Sequence, residues 1–256
     1  MSLIDLGDSY SFDQNDVRPE DSCALEFLEK SEIQNAWLHP EASNYTFVVA
    51  LKWGEIRSYG IYKPERGEAP LNDFPQGLYK REIAAYFVSE ALAWELVPPT
   101  IVRLDESVGF GSMQLFVPPV EGSNFFNLRD DHSETVKLIA LFDWVINNAD
   151  RKGGHCFLAD SGGVWAIDNG LSFHEEHKLR TVIWDFAEQE IDSWMLQDLR
   201  RFQSELNVNT GSIYKKLSEL LEASEIDSLK KRITAILANP FYPKPRSRRD
   251  IPWPII

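Results

Sequence analysis

Asn147-Asn148-Ala149-Asp150-Arg151-Lys152-Gly153-Gly154-His155 and Ala166-Ile167-Asp168-Asn169-Gly170-Leu171-Ser172-Phe173 are the two stretches from which the fold can be read. In each, an acidic residue follows a strongly apolar segment: Asp150 after Leu138 to Ile146, and Asp168 after Val164 to Ile167. Between them, Cys156-Phe157-Leu158-Ala159-Asp160-Ser161-Gly162-Gly163-Val164-Trp165 places apolar runs on both sides of an Asp-Ser-Gly-Gly turn, the pattern of a tight hairpin. Such a hairpin would bring the two carboxylates to the same end. Phosphoryl transfer uses this pairing, one carboxylate orienting the attacking hydroxyl and the other holding the divalent metal that bridges the nucleotide phosphates.

The N-terminal part supplies the other half of such a site. An alternating run from Glu55 ends in Gly60-Ile61-Tyr62-Lys63-Pro64, so Lys63 is expected at the end of a strand. Tyr79-Lys80-Arg81-Glu82-Ile83-Ala84-Ala85-Tyr86-Phe87-Val88 then opens a helix whose apolar positions recur at three and four residues. A strand lysine that contacts phosphates and pairs with a helix glutamate is a kinase device, and Lys63 and Glu82 have the required types and contexts. Val97-Pro98-Pro99-Thr100 reads as a loop. Gly111-Ser112-Met113-Gln114-Leu115-Phe116-Val117-Pro118 reads as a buried strand running into a connection whose backbone could pair with adenine.

In this order, the pieces resemble the phosphatidylinositol 3-/4-kinase-like superfamily, most closely the type II phosphatidylinositol 4-kinases and their small bacterial relatives. The pieces are Tyr62-Lys63-Pro64, Glu82-Ile83-Ala84-Ala85-Tyr86, Val97-Pro98-Pro99-Thr100, Gly111 to Val117, Asn148-Ala149-Asp150-Arg151 and Ile167-Asp168-Asn169-Gly170-Leu171. They cover roughly residues 33 to 175, about half the chain. The resemblance implies an α+β, bilobal, protein-kinase-like fold with a small mixed N-lobe and a mainly helical C-lobe. It also implies ATP with Mg2+ or Mn2+, Asp150, Lys63 and Glu82 as catalytic residues, and Asp168 on the metal. The turn His39-Pro40-Glu41-Ala42-Ser43-Asn44 stands where such kinases cover the phosphates. It lacks multiple glycines, so backbone donors of Ser43 and Asn44 would have to serve, as in the family's short Ser-containing turn. Gln114, Phe116 and Val117 complete the expected nucleotide contacts.

One position departs from the pattern. Five residues after the catalytic Asp, where the kinase and lipid-kinase pattern has a second metal-binding asparagine, this chain has His155. Magnesium prefers oxygen ligands, whereas imidazole suits softer ions such as manganese. Either His155 stays off the metal, or manganese is accepted well, or only one metal is held. Arg151 reads as a structural residue of the loop. His174-Glu175-Glu176-His177 lacks the spacing of a zinc-protease motif. Cys156, adjacent to His155, does not read as a nucleophile.

Composition fits an intracellular chain of one bilobal unit or two small domains. The 256 residues are 43% hydrophobic, with eight Trp and only two cysteines, Cys23 and Cys156. No apolar run approaches the roughly 18 residues of a membrane span, and Met1-Ser2-Leu3-Ile4-Asp5 does not open a signal peptide. A cytoplasmic location is expected. The net charge of −14 argues against nucleic acid as a partner. Type II phosphatidylinositol 4-kinases reach membranes through a lipidated cysteine-rich insertion, which neither Cys23 nor Cys156 can supply. A soluble protein or small-molecule substrate is therefore preferred over a phosphoinositide.

The expected organisation is an acidic arm over 1–20, an N-lobe over 21–113, a hinge over 114–118, and a C-lobe over 119–256. That last part ends in a Pro-rich tail with Lys244, Arg246, Arg248 and Arg249. Helices are expected over Ser22 to Glu29 with Ser22 as N-cap, Ser133 to Asn147, Thr181 to Phe202, Ser212 to Ala223, and Glu225 to Leu237. Three functions remain open: an ATP-dependent kinase, favoured; a nucleotide-binding pseudokinase; and a nucleotidyltransferase on a kinase fold.

Overall fold

Strict alternation in Ile56–Pro64 buries Ser58, Gly60, Tyr62 and Pro64 on one face, and this strand, β3, is the middle of a five-stranded antiparallel sheet. A computed structural model describes residues 16–39, 44–105 and 108–256. The other strands are β1 (Glu32–Leu38), β2 (Phe47–Trp53), β4 (Thr100–Asp105) and β5 (Gly109–Leu115), in the order β1-β2-β3-β5-β4. Gly111 lies opposite Pro64 in the β3–β5 register, and a Cβ there would come 2.5 Å from the Lys63 carbonyl oxygen. The missing side chain lets β5 close on β3 where Lys63 leaves the sheet.

Helix α1 (Ala24–Lys30) lays Phe27 and Leu28 against Val49, Leu51, Tyr62, Met113 and Leu115 to form the core of this small lobe. It begins two residues after the expected Ser22, with Cys23 at the N-cap and no side-chain cap bond. Helix α2 (Leu78–Leu92) packs beside β4 and β5. The Glu68 carboxylate accepts from Gly77 N–H (2.9 Å) and Tyr79 N–H (2.8 Å), so it caps the start of α2 and suits the positive end of its dipole.

The larger lobe consists of α3 (Phe125–Leu128), α4 (Ser133–Ile146), the hairpin β6–β7 (Cys156–Leu158 with Val164–Ala166), α5 (Ser193–Leu206), α6 (Ser212–Ser218) and α7 (Ala223–Ala238). Its core joins α4, α5 and α7 through Ile139, Phe142, Leu199, Phe202, Leu229 and Ile233. The whole is an α+β arrangement of a small mixed lobe and a mainly helical one. Among the described residues no helix is long and apolar enough to cross a membrane.

The expectation of a helix from Thr181 is wrong for residues 181–192. Val182 N–H is taken by Arg151 C=O and Thr181 N–H by Asp250 C=O, both at 3.0 Å, and Glu188 has φ 64°, which no helix accommodates. The helix expected over Ser212 to Ala223 ends at Ser218. Strand β4 and the short α3, capped by Asn124, were not expected.

Candidate active site

Helix α4 ends at Asn147, which adopts the left-handed conformation (φ 56°) common at helix C-termini. Its side chain donates to the carbonyls of His174 (2.9 Å) and Glu176 (2.7 Å) and accepts from Lys178 N–H (2.9 Å), so it pins the following loop. Asn148 Oδ1 accepts from Asp150 N–H at 2.9 Å, a local turn that fixes the backbone at Asp150. Arg151 then runs inward. Its Nε lies 3.0 Å from both Asp143 oxygens, Nη2 donates to Asp143 and Asn169 Oδ1, and Nη1 donates to Ile167 C=O. One buried guanidinium thus ties the Asp150 loop to the Asp168 loop.

The hairpin completes the approach. Cys156 pairs with Ala166, and Ile167 N–H donates to His155 C=O at 2.9 Å. Asp168 emerges in the left-handed region (φ 57°), a conformation Asp tolerates better than most residues. One of its oxygens accepts from Lys63 Nζ at 2.7 Å, and the other lies 3.3 Å from His155 Nε2. Lys63 also pairs with Glu82, whose second oxygen accepts from Asn169 N–H at 2.8 Å. Lys63, Glu82, Asp168 and His155, read from four separate stretches of sequence, therefore meet in one cluster.

The electrostatics follow from this geometry. Burial alone would depress Lys63, but Asp168 and Glu82 outweigh it, and its pKa stands above the ordinary lysine value. Lys63 in turn holds Asp168 well below the usual carboxylate range. Burial pushes His155 down to about 4 despite Asp168, so the ring is neutral at pH 7. Asp150 is raised by burial, with Lys152 opposing. Cys156 is fully buried and its thiol is pushed up to about 12, so it is no nucleophile.

A divalent cation has a partial donor set here. Asp168 offers carboxylate oxygens on an exposed side chain, and His155, whose Nδ1 accepts from Lys152 N–H at 3.4 Å, offers Nε2 beside them once that nitrogen gives up its proton. Among the described residues no group of three His, Cys, Asp or Glu converges. This donor set fits an ion that completes its shell with phosphate oxygens and water, the usual habit of Mg2+ in nucleotide sites.

The remaining sequence-assigned residues are placed as follows. Ser43 lies outside the described residues. Asn44 accepts from Ala69 N–H at 2.8 Å and so steadies the chain beyond β3. The Gln114 side chain turns away to donate to Thr100 Oγ1 (2.9 Å). Phe116 N–H donates to Tyr59 C=O (2.9 Å). Val117 packs on Phe157, Ala159 and Trp165.

No family model matches the chain. Protein Rv2133c of Mycobacterium tuberculosis is 37% identical across 83% of this chain and 88% of its own length. The chain belongs to the Rv2133c family. Among solved structures it is similar to hydra Fam20 with sugar, at 13% identity and TM-score 0.49, over 84% of this chain and 86% of that one. The Helicobacter pylori proinflammatory kinase CtkA gives 12% and 0.48, over 83% and 93%. The N-terminal 618-residue fragment of LepB from Legionella pneumophila gives 10% and 0.48, over 73% and 46%. Likenesses this remote bear no weight for chemistry, which rests on the residues themselves.

Two residues of this Rv2133c-family chain that touch the site escaped the sequence reading. Lys152 Nζ lies 3.2 Å from Asp150 Oδ2. Asp143, fully buried, balances Arg151. The signal for Asp143 was present: a carboxylate inside the apolar run Leu141-Phe142-Asp143-Trp144-Val145 needs a partner.

Proposed function

We propose that the chain is an ATP-dependent phosphotransferase of the phosphatidylinositol 3-/4-kinase-like type that moves the γ-phosphoryl group to a hydroxyl. The observation that carries this reading is Lys63, which bonds Glu82 from its own lobe and Asp168 from the other. Lys63 would hold the nucleotide phosphates, and Glu82 keeps its ammonium in place. Asp168, with His155 beside it, would hold Mg2+ or Mn2+, which when bound neutralises phosphate charge. Asp150 would accept or orient the acceptor proton, and the backbone at Val117 would meet the adenine. The acceptor is a soluble protein or small molecule in preference to a phosphoinositide.

If the His155 ring takes the place of an oxygen ligand, manganese should bind at least as well as magnesium. His155→Asn is expected to tilt binding back toward magnesium, read by titration of the protein with each metal and a non-hydrolysable ATP analogue.

Incubation of the purified chain with γ- and α-labelled ATP tests the reading. Transfer of γ-label supports it, transfer of α-label alone makes the chain a nucleotidyltransferase, and binding without either makes it a pseudokinase. Vesicle flotation with phosphatidylinositol tests the acceptor class: label in the lipid fraction would reverse the stated preference.

A further inference from the structure

Beyond α7 the chain returns to the loop that carries Asp150. Tyr242 fixes the start of the return: it is 4% exposed, and its hydroxyl donates to Lys137 C=O at 3.0 Å. Past that anchor the hold is mostly main chain. Thr181 N–H donates to Asp250 C=O at 3.0 Å, and Gly153 N–H donates to Ile255 C=O at 2.7 Å. Gly153 lies three residues after Asp150, and Thr181 is bridged in parallel to Arg151, so both donors sit on the backbone that frames Asp150.

Side chains add little to this contact. From Ile251 to Ile256 only Pro252 is buried, and Trp253 is 88% exposed. At Gly153 there is no room for a side chain: a Cβ would stand 2.6 Å from the Phe126 ring and 3.2 Å from the Ile255 carbonyl oxygen. The bare backbone at Gly153 is what admits another polypeptide backbone beside the loop.

We propose that this contact is a peptide-binding groove at the acceptor side of the site, filled in this state by the chain's own segment 246–256. Main-chain hydrogen bonds of this kind hold a polypeptide backbone largely irrespective of its sequence, here one that passes through a single 3-10 turn at Arg248–Asp250. Ile251-Pro252-Trp253-Pro254-Ile255-Ile256 contains no Ser, Thr or Tyr, so this occupant offers Asp150 no hydroxyl and can rest there unmodified. The nearest upstream hydroxyl, Ser247, is turned to Arg249 N–H at 3.1 Å inside a turn closed by Asp250. A tethered occupant competes at an effective concentration on the order of millimolar, so it raises the apparent KM for a polypeptide acceptor and leaves that for ATP alone. Naming the occupied groove an acceptor site rests on the phosphotransferase reading; the groove and its occupant do not.

Pro252→Asp puts a charge at the one buried position of the stretch and releases it, while Trp253→Asp adds the same charge at an exposed position as control. The probe is a fluorescein-labelled peptide with the sequence Lys244 to Ile256, followed by anisotropy, alongside amide exchange at Gly153 and Thr181. The peptide is expected to bind Pro252→Asp roughly tenfold more tightly than the wild type or Trp253→Asp, because the intramolecular competitor is gone. Gly153 and Thr181 should exchange faster in Pro252→Asp and regain protection when the peptide is added. Equal peptide binding by wild type and Pro252→Asp overturns the proposal. So does Gly153 protection that survives both Pro252→Asp and the Asp250→Ala/Pro252→Asp double variant, since a segment that cannot leave is no exchangeable occupant. Tighter binding by Pro252→Asp with no γ-phosphoryl transfer by any variant upholds the groove and sinks the phosphotransferase reading instead.

Discussion

Arg151 and Asp143 form an ion pair with both side chains fully buried, Nη2 standing 2.9 Å from Oδ1. Desolvation of two charges offsets most of their attraction, so the pair is poor evidence of stability in itself. Its consequence is asymmetric: removing one partner leaves the other charge buried without compensation. Asp143→Ala is therefore expected to destabilise the fold by roughly 3–5 kcal/mol. Urea unfolding measures this, and a loss below about 1 kcal/mol would mean that water reaches Arg151 readily.

Nucleotide binding has a stability readout that does not depend on turnover. A ligand that binds only the folded state adds about 2.7 kcal/mol at a hundredfold excess over its Kd. For a chain of this length that shifts the melting temperature by roughly 5–10 °C. ATP with magnesium or manganese should produce such a shift, and Asp168→Ala should remove its metal-dependent part. A melting curve indifferent to millimolar ATP and metal would defeat the assignment of Lys63 and Asp168.

Much of this arrangement was legible in the sequence because its signals are local. Alternation placed Lys63 on a strand, three-and-four spacing placed Glu82 on a helix, and the Asp-Ser-Gly-Gly turn announced the hairpin that carries Asp168. What stayed hidden depends on distant partners. Residues 181–192 have a helix-like composition, but the hydrogen bonds of Thr181 and Val182 go to Asp250 and Arg151. The return of the tail to Gly153 uses backbone groups that every residue has, so no side-chain pattern could announce it. Gln114, set at the start of the expected hinge, lies inside β5 (Gly109–Leu115), and the direction of its side chain depends on Thr100, fourteen residues earlier.

His155 makes the fold sensitive to acid. Its pKa falls from the ordinary 6.5 to about 4 in the folded chain, so between those values the unfolded chain binds a proton that the folded chain refuses. Stability must then fall as pH drops through that window and be fully present above it. A difference of this size corresponds to roughly 2–4 kcal/mol. In buffer containing EDTA, His155→Asn should lose less stability than the wild type between pH 6.5 and 4. Parallel losses would show that the ring takes its proton within the fold.

Asp150 carries the chemical step in the proposed reaction, and its substitution separates chemistry from binding. The turn that holds it uses its backbone N–H on Asn148 Oδ1, so Asp150→Asn leaves the loop intact. Lys63 and Asp168 are untouched by the change, and nucleotide affinity should stay within a small factor of the wild type. What is lost is a carboxylate able to accept or orient the acceptor proton, a contribution of roughly 10² to 10⁴ in rate. That equals roughly 3–5 kcal/mol of barrier. The same substitution removes the partner of Lys152, which sits 3.2 Å away, so Lys152→Met must be measured beside it. A drop of that size in Asp150→Asn, with a smaller one in Lys152→Met and unchanged ATP affinity in both, places the proton-handling role on Asp150. Turnover in Asp150→Asn within about threefold of the wild type would move that role to another residue.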